Sequence, residues 1–460
     1  MPEPRVIAVL AMVSAIAVAS NRSMTQNPYF SKGESEQIRA DWNKPGRFAL
    51  TAPASAEKAG RSQMRLTVEG STWLWNYYRA RGFGKVIPTQ DPKSQDPEAA
   101  TWDAWIDAKV NFDRAVAQLE ADQANGRPTT TMLPPDPGLP PDSLVALAGE
   151  PPIFASCVRP TGYKITFSTG VTLSYEDNVS MRPKFAYYRF SQGVRSGGVS
   201  VKKMPESDLQ ALFRSAGLDD RAKRIMASVS LLEGGFDSVN TYDTGFLSVG
   251  VIQFATLKEG AGSLGDVLLD LKKDNPTSFQ RDFRQYGIDV APAGYIVALD
   301  LNTGEEKIGA AAVATIIEDK RLTAVFQHAG LTSRDFCISQ IDIAMKRYFP
   351  AGDPFSVTLD DGTVVSGTVG DFVKSEAGLA TLMDRKVNTG KVDPLAQTVK
   401  QLMTEYGLRT LGELATYEYQ LVQRIRYRKD YLGDLSLSQP REVPPPAFRG
   451  GTGKRGGTRP

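Results

Sequence analysis

The sequence contains one histidine and two cysteines in 460 residues. Metal sites built from several histidines are therefore excluded, and Cys157 and Cys337 cannot form a four-cysteine zinc site. These two residues form either one disulfide, if the chain is exported, or two buried free thiols. The single histidine, His328, precedes Ala329 and Gly330 at a predicted helix end, so we expect it to cap a helix or lie at the surface. No metal or organic cofactor is predicted.

An excess of either charge is also lacking, since Lys+Arg is 54, Asp+Glu is 52 and the net charge is +2 at pH 7. Nucleic-acid-binding proteins usually show a basic excess or a basic stripe, so no nucleic-acid partner is predicted. The one compact basic run, residues 449–460, lies among glycines. We expect residues 433–460 to form a disordered basic tail rich in Gly and Pro.

Long apolar runs are absent apart from the 13 residues 6–18. A membrane-spanning helix needs about 20 apolar residues, so no stable membrane span is predicted. The run is followed by small residues up to position 20, a pattern typical of a signal-peptide cleavage site. We therefore interpret residues 1–19 as a signal peptide and expect a secreted, periplasmic or cell-envelope protein. The alternative is an N-terminal core or anchor helix.

Eight prolines fall within residues 127–152. Proline at this density disfavours helix and sheet and gives a semi-rigid spacer, so this segment is predicted to be a linker. All five tryptophans precede it, which indicates a separate Trp-rich N-terminal region over residues 20–126. The main domain is predicted to span residues 153–432. The aromatic cluster at residues 73–78 is either a surface that stacks on sugar rings or buried aromatic packing.

The pattern after the linker predicts an α+β fold. Alternating apolar residues at 163–175 predict short strands, and helical periodicities dominate from residue 205 onward. Turns at 302–304 and at 361–362 predict two further hairpins. A mainly helical chain with small hairpins is typical of this class.

The stretch most informative about chemistry begins with a helix predicted over residues 219–233. Its apolar residues face one way, an aspartate at 219 or 220 caps its start, and two glycines after Glu233 end it. The negative end of the helix dipole and nearby apolar groups both raise the pKa of a carboxylate at this position. Such an acid suits glycoside hydrolysis as the proton donor. The alternative is a solvated glutamate in the last helical turn.

A small hairpin is predicted directly after this helix. Residues 241–255 have strand composition, with a turn at 243–245 that would fold the chain back to form one wall of a cleft. Asp237 and Asp243 are carboxylates within reach of such a cleft, and Ser248 and Gln253 add neutral polar groups. Two opposed carboxylates are the minimum set for an acid and base pair.

The runs EGGF at 233–236 and LSVGVIQF at 247–254 resemble the active-site signature of the lysozyme-like superfamily. This superfamily includes goose-type lysozymes, lytic transglycosylases and chitosanases. The resemblance implies a lysozyme-like domain with Glu233 as general acid and Gln253 lining the cleft. The resemblance to chitosanases in particular implies that Asp243 is the base. Ser248 then stands in the place of a threonine that helps to hold water.

Two features depart from individual branches of this superfamily. The spacing of ten residues from Glu233 to Asp243 is shorter than in a chitosanase, and Gly234 stands where transglycosylases usually have serine. Residues 382–390 (LMDRKVNTG) resemble a helix-end segment of chitosanase-like and phage muramidase-like proteins. The expected substrate-binding residues are Gln253, Asp237, Tyr242, Asn240, Arg385 and Asn388.

Together these features predict an exported glycan-cleaving enzyme for a β-1,4-linked amino-sugar polymer, with peptidoglycan as the expected polysaccharide partner. The enzyme would be a hydrolase or a lytic transglycosylase. Asp237 is the alternative base to Asp243, and a transglycosylase needs no second carboxylate. The other two hypotheses are a chitosanase and a non-catalytic glycan-binding or structural envelope protein on the same scaffold.

Overall fold

The computed structural model describes residues 28–51, 62–83, 96–179, 190–199, 201–230 and 234–444. The predicted signal peptide, residues 1–19, lies outside these ranges. Helices combine with small sheets in which every described strand pair is antiparallel, so the chain is an α+β protein.

The helices follow the sequence periodicity closely after residue 205. In chain order they are α1 (Lys32–Trp42), α2 (Val68–Ala80), α3 (Pro97–Ala124), α4 (Asp142–Ala148), α5 (Glu206–Ser215), α6 (Asp220–Ser230), α7 (Ser263–Asp274), α8 (Pro276–Asp282), α9 (Ala310–Glu318), α10 (Lys320–Thr332), α11 (Arg334–Tyr348), α12 (Glu376–Thr389), α13 (Leu395–Tyr406), α14 (Leu411–Ala415) and α15 (Glu418–Arg424). In the described part of the chain, none of them has both the length and the apolar character to cross a bilayer.

The strands are short. They are β1 (Phe48–Thr51), β2 (Gln63–Leu66), β3 (Ala155–Val158), β4 (Gly162–Thr166), β5 (Thr172–Glu176), β6 (Arg195–Ser196), β7 (Val239–Asn240), β8 (Ser248–Val249), β9 (Phe254–Ala255), β10 (Ile288–Val290), β11 (Ile296–Leu299), β12 (Glu306–Ile308), β13 (Pro354–Thr358) and β14 (Val364–Thr368). The sheet orders are β1-β4-β5, β2-β3, β6-β7-β8-β9, β10-β11-β12 and β13-β14. The hairpins predicted at 302–304 and 361–362 are confirmed.

Residues 28–51 belong to the main core, although their sequence suggested a separate N-terminal region. Phe30, Ile38 and Trp42 are buried in the same hydrophobic cluster as the helices that follow residue 205. The indole Nε1 of Trp42 donates a hydrogen bond to the carbonyl of Tyr286 at 3.1 Å, and β1 pairs with β4. The structure therefore corrects the predicted division of the chain for this segment.

Two charged side chains anchor the start of this segment. The carboxylate of Glu306 accepts hydrogen bonds from the backbone N–H groups of Tyr29, at 3.1 Å, and Phe30. The guanidinium of Arg284 pairs with Glu34 at 3.1 Å. These contacts satisfy the backbone donors of Tyr29 and Phe30 and fix α1 to the main core, and we call this arrangement the N-terminal clamp.

A second hydrophobic core gathers around α2, α3 and α4, with β2 paired to β3. The rings of Trp73 and Tyr77 stack with centroids 5.6 Å apart, and the indole Nε1 of Trp73 donates to the carbonyl of Gly149 at 2.9 Å. Trp73, Tyr77 and Tyr78 are buried, so they form aromatic packing and not a sugar-stacking surface.

Two segments predicted to lack regular structure are packed. Helix α4 lies within the Pro-rich residues 127–152, and Pro141 directly precedes it. Proline is tolerated at this position because the backbone N–H that it lacks would have no hydrogen-bond partner within the helix. Leu144 of α4 is buried in the second core. Beyond residue 433, Leu437 is buried and the backbone N–H of Ser438 donates to Glu376 at 2.7 Å. Residues 445–460 lie outside the described residues.

The two cysteines are free thiols, so no disulfide links them. Cys157 lies on β3 beside the second core, whereas Cys337 is buried in α11 in the main core. Burial raises the pKa of the Cys337 thiol to about 12, which makes it unreactive at neutral pH.

His328 is buried inside α10, and the expectation of a capping or surface role is wrong. The helix continues to residue 332, and its residues 320–330 are all buried. The imidazole stacks on Phe167 with ring centroids 4.0 Å apart, and its Nε2 lies 2.9 Å from the hydroxyl of Thr169. Burial lowers the pKa of His328 to about 4, against a weaker opposing effect of Asp282.

We expect this histidine to make the protein less stable as the pH falls from about 6.5 to about 4. Between these pH values the unfolded chain binds a proton at His328 and the folded chain does not. This difference lowers the free energy of unfolding by about 3 kcal/mol at about pH 4. Replacing His328 with Phe keeps the ring and removes the titration. The free energy of unfolding, measured by denaturant titration between pH 4 and 7, should therefore decline less in His328→Phe. Parallel curves for the two proteins would contradict the assignment.

Candidate active site

The helix that leads into the site is α6. Its start is capped as predicted, since Asp219 accepts a hydrogen bond from the backbone N–H of Ala222 at 2.7 Å. Its apolar face, which includes Ile225, Met226 and Val229, is buried in the main core. Glu233, the predicted general acid, lies outside the described residues, and the description resumes at Gly234.

The predicted hairpin after this helix is confirmed. Strands β7 and β8 pair with Asn240 opposite Ser248, and β9 and β6 complete a four-stranded sheet. Asp243 shapes the connecting turn, because its Oδ1 accepts the backbone N–H of Gly245 at 2.9 Å. Each of these strands has only two residues, so the hairpin depends on contacts from elsewhere in the fold.

Asp243, Asn240 and Ser248 meet at one corner of the hairpin, which we call the hairpin corner. The amide Nδ2 of Asn240 donates to Oδ2 of Asp243 at 2.7 Å. A Cβ placed on Gly245 would lie 2.4 Å from Oγ of Ser248 and 3.2 Å from Oδ1 of Asp243, so both side chains border this glycine. The predicted base and the predicted water-holding hydroxyl therefore lie side by side.

Asp243 is in the environment expected for proton transfer. Burial raises its pKa, while hydrogen bonds from the Gly245 N–H and from Asn240, together with the charge of Arg195, oppose the increase. The neighbouring Tyr242 is buried, and burial together with the charge of Asp243 raises the pKa of its phenol. A carboxylate with a raised pKa is a stronger base than an ordinary aspartate.

Gln253 contacts Ser238, which directly precedes β7. The amide Nε2 of Gln253 donates to Oγ of Ser238 at 2.6 Å, and that hydroxyl donates to the carbonyl of Gly250 at 2.8 Å. Ser238 and Arg195 are additional candidate residues that were not predicted from the sequence. Arg195 lies opposite Asn240 in the pairing of β6 with β7, a partnership that is not local in sequence.

Asp237 precedes β7, and its described hydrogen bond does not involve the hairpin corner. Its Oδ1 accepts the backbone N–H of Val199 at 2.8 Å, and it is 3% exposed. It lines a cavity of about 400 Å³ together with Phe236 and Cys337. Asp243 is therefore the carboxylate that the structure places at the corner.

Arg385 and Asn388 lie on α12. The guanidinium of Arg385 stacks over the ring of Tyr427 at 4.8 Å, and Nδ2 of Asn388 donates to Oδ1 of Asp384 at 3.2 Å. Their described contacts are thus with α12 itself and with residues 425–428. Within the described part of the chain, no group of three or more His, Cys, Asp or Glu side chains is arranged to hold a metal ion.

The backbone around the hairpin is strained. Phe246, Gln253 and Leu257 have φ values of +66°, +56° and +58°, in the left-handed region that side chains disfavour. Each such residue costs on the order of 1–3 kcal/mol and persists only where surrounding contacts impose it. Three of them within 12 residues mark this segment as a candidate functional site.

The contacts that impose this geometry come from Gln340 on α11. Its side chain is fully buried, its Nε2 donates to the carbonyl of Phe236 at 2.9 Å, and its Oε1 accepts the N–H of Val251 at 3.0 Å. Gly250 passes so close that a Cβ there would lie 2.0 Å from Oε1. One amide therefore joins the start and the end of the hairpin, and we call it the Gln340 bridge.

Comparisons of the chain with protein-family models, with curated proteins and with solved structures found no match.

We expect Gln340→Leu to destabilise the protein by about 2–4 kcal/mol, because it leaves the Phe236 carbonyl and the Val251 N–H buried without partners. Gln285→Leu is the matched control, since Gln285 is exposed and should change stability by less than about 0.5 kcal/mol. Chemical denaturation of both variants measures the difference. Equal stability of the two variants would show that the bridge is dispensable.

We also expect Asn240→Ala to raise the pKa of Asp243 further, because the ionised carboxylate loses a hydrogen-bond donor. Titration of the Asp243 carboxyl carbon by NMR measures this shift without any assay of activity. Asn388→Ala removes a similar amide that contacts Asp384, and it should leave the Asp243 titration unchanged. An unchanged or lower pKa in Asn240→Ala would contradict the described corner.

Proposed function

We propose that the chain is a glycan-cleaving enzyme for a β-1,4-linked amino-sugar polymer, with peptidoglycan as the substrate and Glu233 as the general acid. The observation that carries the proposal is the hairpin corner. Directly after α6, the chain holds Asp243, with its raised pKa, beside Ser248 and Asn240. This combination of a helix, a hairpin and a desolvated carboxylate supports the lysozyme-like resemblance of the sequence at 233–254.

The proposed chemistry assigns one role to each group. Glu233 donates a proton to the glycosidic oxygen as the bond to the sugar breaks. Asp243 either removes a proton from the attacking water or stabilises the positive charge that develops on the sugar, and Ser248 orients that water. Gln253, held by Ser238, borders the sugar-binding face. In a transglycosylase the sugar's own hydroxyl replaces water, and Asp243 is then not required.

A chitosanase is the second candidate function. The observation that favours it is the adjacency of Asp243 and Ser248 around Gly245, which is the arrangement that the chitosanase resemblance implies. Mass spectrometry of the products from purified sacculi and from chitosan separates the possibilities. Reducing ends indicate hydrolysis, anhydro ends indicate transglycosylation, and fragments from chitosan alone indicate a chitosanase. Binding to sacculi without any fragments would favour a non-catalytic envelope protein. In keeping with the sequence at 1–19, we propose that the protein acts outside the cytoplasm.

We expect Glu233→Gln to fold normally and to reduce fragment release at least about 100-fold, since general acids contribute 10²–10⁴ to the rate. Glu259→Gln is the matched control, because Glu259 is exposed in the loop after the hairpin and should retain full activity. Fragment release from sacculi is the measurement, with thermal melting to check folding. Undiminished lysis by Glu233→Gln would refute the proposal.

A further inference from the structure

Helices α6 and α12 run side by side in the same direction. Arg221 near the start of α6 bonds to the carbonyl of Lys374, just before α12, and Arg224 pairs with Glu376 in the first turn of α12 at 3.0 Å. Arg385 lies nine residues beyond Glu376, about 14 Å along the axis, and the described part of α6 extends to Ser230, about 9 Å beyond Arg224. The second half of α12 therefore lies beside the last described turns of α6.

The segment after α15 ties these two helix ends together. The hydroxyl of Ser228 on α6 donates to Asp434 at 2.7 Å and accepts from Lys429 at 3.0 Å. The preceding residue, Arg428, pairs with the buried Asp384 of α12, with Nε 3.1 Å from Oδ1. Arg385 is thus next to a network that contacts the last turns of α6.

The charged side chains of α12 and of residues 428–434 that lie beside Arg385 are paired with other groups. Asp384 is paired with Arg428, Lys386 with Asp353, and Lys429 with Asp434. Arg385 has no carboxylate within ion-pair distance among the described residues. Its Nη2 makes one long hydrogen bond, at 3.3 Å, to the carbonyl of Ile425, and its Nε is buried without a hydrogen-bond partner in the described part of the chain.

The environment of Arg385 favours an anion. The half-buried guanidinium lies over the Tyr427 ring at 4.8 Å, and its Nε is buried. Burial lowers its pKa, and the charges of Tyr427, Asp384 and Asp393 only partly oppose this. A planar guanidinium that is already oriented matches a carboxylate, which can accept two parallel hydrogen bonds.

We propose that Arg385 recognises a carboxylate of the glycan, so that the substrate is an acidic amino-sugar polymer. This inference rests on the proposed function and narrows its substrate class. The peptide carboxylates of peptidoglycan supply such a group, as do the lactyl carboxylates of strands that carry no peptide. Chitosan carries ammonium groups, which a guanidinium without an ion-pair partner repels. The charge of Arg385 therefore also acts against a chitosan substrate.

The test measures binding without cleavage, in the Glu233→Gln background. Glycan strands from sacculi are compared with the same strands after their carboxylates have been amidated. Arg385→Gln should weaken binding to the native strands about tenfold, as expected for the loss of a charge-assisted hydrogen bond. Amidation of the strands should weaken their binding to the protein that retains Arg385 by a similar factor. It should not weaken their binding to Arg385→Gln any further.

Two further variants make the result decisive. Arg426→Gln removes a nearby arginine that is already paired with Asp430, and it should change affinity less than about twofold. Arg385→Lys keeps the positive charge but lacks the planar guanidinium, so it should recover part of the affinity. If Arg385→Gln melts at a lower temperature than the unsubstituted protein, Arg385→Lys takes its place in the comparison. Equal losses on native and amidated strands, or no loss on either, would overturn the inference. The binding test does not depend on cleavage. If binding depends on the carboxylates but the unsubstituted protein releases no fragments, the proposed enzymatic activity is rejected and the inference about Arg385 stands.

Discussion

The amide of Gln340 is the contact on which the candidate site depends. Its two hydrogen bonds join Phe236 and Val251, which flank a hairpin whose strands are too short to hold themselves together. Because the amide extends from the long helix α11, the hairpin takes its position from the main core. The same constraint explains how Phe246 and Gln253 can remain in left-handed conformations, since local relaxation would break the bridge.

Local patterns predicted much of the fold. Helical periodicity located α5 to α13, since amphipathic helices such as α5, α6 and α13 bury one face in the main core. The Asp361-Gly362 turn located the β13–β14 hairpin. The same approach failed for residues 28–51, whose burial depends on partners such as Tyr286 that are more than 200 residues away. It also failed for α4, because proline content alone does not reveal that Leu144 fits into an aromatic core.

The candidate site was predictable where its chemistry is local in sequence. Asp243, Asn240 and Ser248 meet because a tight turn joins two paired strands, and the spacing of these residues already implies that proximity. The contact of Asp237 with Val199 was not predictable, because its partner lies 38 residues away in the chain. Gln340 could not be identified, because nothing near it in the sequence indicates that its amide spans the hairpin.

The N-terminal clamp has a consequence for how the chain assembles. Tyr29 is among the first residues to be synthesised, yet its partner Glu306 follows 277 residues later. At ordinary translation speeds this gap lasts roughly 10–60 s, during which the contacts of Tyr29 and Phe30 with Glu306 are missing. Until β4 has been synthesised, the edge residues Phe48 and Leu50 of β1 are also available to other chains. Aggregation during synthesis is therefore a hazard built into this topology, and a chaperone that shields the first 50 residues would act where the nascent chain is most vulnerable.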